Sequence, residues 1–82
     1  MLTIYSKPAC PFCDMAKAYL QEQAVPFEVK DISADDAARE FVLGEGHRTV
    51  PQIYKDGELF VEGGFQGLKD MGRSALLEKL GM

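Results

Sequence analysis

A chain of 82 residues, 46% of them hydrophobic, can fold as one small domain with room for one site, and it is too apolar for a disordered segment. A net charge of −4 and a pI near 4.8 argue against nucleic acid or an anionic membrane as a partner through bulk charge. With no signal-peptide core after Met1 and no apolar run long enough to span a bilayer, a cytoplasmic protein of one domain over residues 1–82 is expected.

Leu2 to Tyr5 reads as a short buried strand and Ser6 to Ala9 as a loop leading to Cys10-Pro11-Phe12-Cys13. Proline is favoured as the first residue of a helix and pushes its predecessor out of the helical region, so Cys10 should stand just outside a helix that runs to about Gln23. Phe12, Ala16, Tyr19 and Leu20 recur at helical spacing toward a core, although Phe12, between the thiols, can instead remain exposed beside them. Pro26 opens a second strand, Phe27 to Asp31, and this strand, helix and strand imply a right-handed parallel crossover. Ser33 with Asp36 resembles a capping box for a second helix whose apolar face is Ala34, Ala38, Phe41 and Val42, ended by Gly44. The acidic residues Asp31, Asp35, Asp36, Glu40 and Glu45 read as a solvated face and not as a metal site.

The cysteine spacing puts two thiols one helical turn apart. At a helix N-terminus the unpaired N–H groups and the dipole favour a thiolate at Cys10, and Lys7 adds a positive charge, while Asp14 opposes the anion. Cys13, inside the first turn, should be more buried and less ionised, which suits a resolving thiol. Three plainer roles compete. A structural disulfide over so short a loop adds little stability. Structural zinc needs four ligands, and beyond these thiols only His47 supplies a nitrogen. Two inert packed thiols are a poor match for a helix N-terminus beside a lysine.

Pro51 introduces a third strand, Gln52 to Lys55, and Asp56-Gly57 is a hairpin turn into a fourth, Glu58 to Glu62. Gly63-Gly64 ends that strand and leaves backbone open to close approach, after which Phe65 to Met71 can form a short helix. Gly72 breaks the pattern, Ser74 is a candidate cap, and Leu76, Leu77 and Leu80 make the apolar stripe of a last helix closed by Gly81. The sum is an α/β domain with a four-stranded mixed sheet flanked by helices, in the order βαβαββα.

Ile4-Tyr5-Ser6-Lys7 before the cysteine motif, Thr49-Val50-Pro51 before a strand and Gly63-Gly64 after a hairpin, in this order, resemble a dithiol glutaredoxin of the thioredoxin-fold superfamily over nearly the whole chain. Phe12 stands where the commonest dithiol motif has tyrosine. The resemblance implies a cis peptide bond before Pro51, with Val50 pairing its backbone to an extended substrate. Lys7 and Thr49 would line the glycine end of a bound glutathione, and Gly64, Phe65 and Gln66 the γ-glutamyl end, where helix N–H groups can meet its carboxylate. One departure is Gln66, followed by Gly67, where many members place an aspartate for the amino group of glutathione; a neutral amide loses the charge assistance. His47 and Arg48 beside Thr49 read as solvated loop residues, with Arg48 able to attract an anionic substrate.

The function so implied is glutathione-dependent thiol-disulfide exchange. Cys10 attacks, Cys13 resolves, glutathione is the reducing co-substrate, and a monomer acts on glutathionylated or disulfide-containing proteins, with ribonucleotide reductase a candidate partner. Two other functions share the fold: a redoxin fed by thioredoxin reductase, and a dimeric iron–sulfur carrier in which two chains supply the thiolates. Proline after Cys10 disfavours the latter, since members adapted to clusters commonly have glycine there.

Overall fold

A computed structural model describes residues 1–81. The chain forms β1 (Leu2–Ser6), α1 (Pro11–Glu22), β2 (Phe27–Asp31), α2 (Asp36–Gly44), β3 (Gln52–Lys55), β4 (Glu58–Val61) and α3 (Gly64–Leu80). The sheet order is β2-β1-β3-β4. β1 runs parallel to β2, with Leu2 opposite Phe27 and Ser6 opposite Asp31, and antiparallel to β3, with Leu2 opposite Lys55. β4 returns antiparallel to β3 through Asp56 (φ 51°) and Gly57 (φ 84°), the two positive φ values that let a tight hairpin follow the sheet's twist.

Alternation along the strands divides the core in two. Leu2, Ile4 and Ile53 face α1 and α3, where they pack with Ala16, Leu20, Leu68 and Leu76. Tyr5 and Tyr54 face the other way and are covered by Ala38 and Val42 of α2. The nine residues of α2 are the helical cover of that face, and an aromatic cluster supplements them. The Tyr5 and Phe41 rings stack with centroids 5.2 Å apart, and Tyr54 meets each of them edge-on, arrangements that add to plain area burial.

Two helix starts differ from the sequence expectation. α2 is capped by Asp35, whose side chain accepts the Ala38 N–H at 3.1 Å, and not by Ser33 with Asp36. Ser33 is taken up by Asp31, whose Oδ1 accepts its N–H at 2.8 Å and its hydroxyl at 2.6 Å. Ala34 therefore lies outside the helix. Replacing Asp35 with alanine should lower stability by about 1 kcal/mol, and Asp36→Ala by less, a ranking that urea unfolding would check. In α3, residues on both sides of Gly72 are helical and the backbone breaks at Gly72 itself (φ 80°, ψ 164°). Ser74 lies within the helical run and is not its cap. Gly81 closes α3 in the left-handed conformation, its N–H returned to the last turn.

Candidate functional site

The C-terminal end of β1 leads through Lys7 to Ala9 into the N-terminus of α1. Cys10 is the N-cap residue, in extended backbone (φ −114°, ψ 100°), and Pro11 opens the helix. The Cys10 sulfur accepts the Cys13 N–H at 3.2 Å, so an otherwise unpaired donor of the first turn points at the sulfur expected to carry charge. Cys10 and Cys13 are joined by a disulfide, with Cα atoms 5.2 Å apart. Cys13 is fully buried, and Cys10 keeps 7% of its surface. Asp14 does not stand as an unpaired charge beside the sulfurs: its carboxylate lies 3.3 Å from the Lys17 ammonium, one turn along the helix. Phe12, left open between core and surface by its spacing, is 60% exposed.

Across from the disulfide lies the loop before β3. The Val50–Pro51 peptide is cis, and the Val50 carbonyl is 3.9 Å from the Cys10 sulfur. Gln52 holds this loop closed, its amide nitrogen donating to the Thr49 carbonyl at 2.9 Å. The turn at Gly63-Gly64 packs directly on it: a Cβ at Gly64 would sit 2.6 Å from the Pro51 carbonyl oxygen, and Gly64 has φ +58°. Gly67 lies similarly close to β4, since a Cβ there would run into the Glu62 carbonyl and stand 2.8 Å from a Val61 methyl.

Between these walls is a groove of about 650 Å³ lined by Phe12, Thr49, Val50, Pro51, Gly64, Phe65 and Gln66, seven of the residues read as site residues, together with His47, Gln52, Leu59 and Glu62. Cys10 touches the loop that forms one wall. Lys7 is exposed and is not among the lining residues. The Gln66 amide nitrogen donates to Asp70 at 2.9 Å, so a carboxylate sits one turn further along α3 than the position where the resemblance looks for one. His47 departs from the solvated loop residue expected of it. It is half-buried, lines the groove, and has its Nε2 2.7 Å from the Tyr54 hydroxyl. Among the described residues no three His, Cys, Asp or Glu side chains cluster so as to hold a metal ion, and no helix is long and apolar enough to cross a membrane.

A family model described as Glutaredoxin matches residues 2–60. The chain belongs to the glutaredoxin family. It is 41% identical over 56 residues to Glutaredoxin 3 of Escherichia coli strain K12, a match covering 67% of this chain and 68% of that protein. With Glutaredoxin 1 of Rickettsia felis the identity is 33% over 82 residues, covering 96% and 78%. Among solved structures, a mutant of the thioredoxin-like protein BC3987 superposes with a TM-score of 0.74 at 31% identity, covering 98% of this chain and 94% of that one. A buckwheat glutaredoxin–glutathione complex superposes at 0.79 with 20% identity, covering 98% and 76%, and glutaredoxin C1 of Populus tremula x tremuloides at 0.79 with 21%, covering 98% and 82%. At those last identities the likeness speaks for the thioredoxin-like fold alone. A glutaredoxin with its two cysteines disulfide-bonded at a helix N-terminus is a dithiol thiol-disulfide oxidoreductase.

Proposed function

We propose that this glutaredoxin reduces glutathionylated proteins and protein disulfides with glutathione as its reducing co-substrate. The observation that carries the reading is the Cys10 sulfur, which accepts the first-turn N–H of Cys13 and stands 3.9 Å from the carbonyl of Val50, a residue that lines a groove large enough for a tripeptide. The Cys10 thiolate attacks the glutathione sulfur of a mixed disulfide. That bond passes to Cys10, and the protein thiolate leaves. A second glutathione thiolate then attacks the Cys10-bound glutathione, forming glutathione disulfide and restoring the Cys10 thiolate. With a protein disulfide, Cys10 forms the mixed disulfide and Cys13 displaces the partner, closing the Cys10–Cys13 bond that two glutathiones reopen. Ribonucleotide reductase is a candidate protein substrate of this second route. Phe12 offers an exposed apolar surface to a protein substrate, and Val50 a backbone edge. Thr49, Pro51, Gly64, Phe65 and Gln66 bind the tripeptide, and Lys7 stands close in sequence to the attacking sulfur.

A second reading is favoured by Gln66 and Gly67, which leave no acid at the start of α3, and by the near full-length likeness to a thioredoxin-like protein: a redoxin reduced by thioredoxin reductase. Turnover of a glutathionylated peptide separates the two. Rapid turnover with glutathione and glutathione reductase supports the first; reduction by thioredoxin reductase alone, with none by glutathione, replaces it with the second.

A further inference from the structure

The groove wall that faces the disulfide has no regular structure of its own. Residues 45–51, between the end of α2 and the start of β3, lie outside helix and strand. Yet His47, Thr49, Val50 and Pro51 all line the groove, and the Val50 carbonyl lies 3.9 Å from the Cys10 sulfur. A segment with no ladder keeps its shape through individual ties to its surroundings. At one end the His47 N–H donates to the Val42 carbonyl at 3.1 Å, and at the other Gln52 donates to the Thr49 carbonyl. A third tie comes from a side chain rooted in the sheet: the Tyr54 hydroxyl lies 2.7 Å from His47 Nε2. The pair forms a hydrogen bond in either tautomer of the ring, since a phenol both donates and accepts.

Tyr54 is itself held firmly. It is 2% exposed, meets Tyr5 and Phe41 edge-on, and packs with Ala38 and Val42 of α2. Its hydroxyl also lies 3.3 Å from Oε1 of Glu45, the C-cap residue of α2. One oxygen thus joins β3, the end of α2 and the groove loop. Glu45 is exposed and His47 half-buried, so water can replace a deleted hydroxyl at both, and the loss falls on the placement of the loop and not on the core.

Resting on the glutathione reading above, we propose that Tyr54 is a positioning residue of the site. Through its hydroxyl it holds His47, and with it the loop that carries Thr49 and Val50, at the distance from Cys10 and the Gly63-Gly64 turn that the peptide thiol requires. Its own side chain is sealed in the core and is not among the groove's lining residues.

The test is a double-variant cycle on Tyr54→Phe and His47→Ala, with kcat and KM measured for a glutathionylated peptide and urea unfolding run on each protein. Tyr54→Phe keeps the ring in its packing and removes one oxygen. It is expected to raise KM about three- to tenfold, with kcat and the urea midpoint close to wild type. Because Tyr54 acts through His47, adding Tyr54→Phe to His47→Ala is expected to raise KM no further. Wild-type KM in Tyr54→Phe, or a loss confined to kcat, overturns the role. So does a Tyr54→Phe protein that no longer folds, or a rise in KM that persists undiminished on the His47→Ala protein, since either makes Tyr54 a packing residue alone. Each of these leaves the glutathione reading standing, whereas a folded wild-type protein that does not turn over the peptide with glutathione overturns both.

Discussion

Cys10→Ser is expected to abolish turnover of a glutathionylated peptide, a loss of roughly a thousandfold or more because no other group on this face can form the covalent intermediate. Cys13→Ser is expected to keep that turnover within a few-fold while losing reduction of protein disulfides. The asymmetry follows from position. Cys10 caps α1, retains some exposure and lies against the Val50 carbonyl, whereas Cys13 is sealed inside the first turn. A sealed thiol cannot meet an incoming disulfide, but it can displace a partner already joined to the sulfur beside it, since the two Cα atoms are only 5.2 Å apart. The check is to measure both substrates for both variants. Full deglutathionylation by Cys10→Ser would reverse the assignment of attacker and resolver.

Gly64→Ala is expected to destabilise the domain by about 1–3 kcal/mol and to weaken the site more than the fold. Two costs combine. At φ +58° the new side chain adopts a backbone conformation that alanine disfavours, and its Cβ would press on the Pro51 carbonyl at 2.6 Å. The relief available is for the Thr49–Pro51 loop to move away from α3, which opens the groove and carries Val50 off the Cys10 sulfur. Against a total stability of about 4–12 kcal/mol for a chain of this length, the change is substantial without preventing folding. Urea unfolding reads the first effect and KM for the glutathionylated peptide the second. Wild-type KM in a folded Gly64→Ala protein would show that the close approach of turn and loop does not shape the groove.

What could be read from the sequence was whatever is fixed by one or two neighbouring residues. Pro11 sets Cys10 outside α1, Asp56-Gly57 turns β3 into β4, and the helical spacing of Ala16 and Leu20 carries both into the core. Where local signals competed, the reading went astray. Ser33, Asp35 and Asp36 are all good caps within four residues, and Ser33 lost the role because Asp31 captures both its N–H and its hydroxyl. What had no local signal was missed. His47 becomes a groove residue through Tyr54, seven positions on and within the sheet, and Gln52 closes the Thr49 turn from inside β3. Lys7 is the converse, a residue whose place in the motif suggested the groove and whose exposed position lies outside the lining. Gly67 lies against the Glu62 backbone, a contact between elements that nothing next to it in the chain announces.

The sulfur that closes the first turn of α1 also ties the helix to electrochemistry. A neutral side-chain cap contributes about 1 kcal/mol, and an anion in the same place accepts a stronger hydrogen bond from Cys13 N–H. The difference is present when Cys10 is a thiolate and absent when it is half of a disulfide, so the helix end favours the reduced state. For a two-electron couple, an extra 1 kcal/mol on that side raises the reduction potential by about 20 mV. How strongly the chain oxidises a partner is therefore set in part by a helix terminus, and substitutions at Pro11 or Asp14, in that same first turn, would move the potential of a bond in which neither residue takes part.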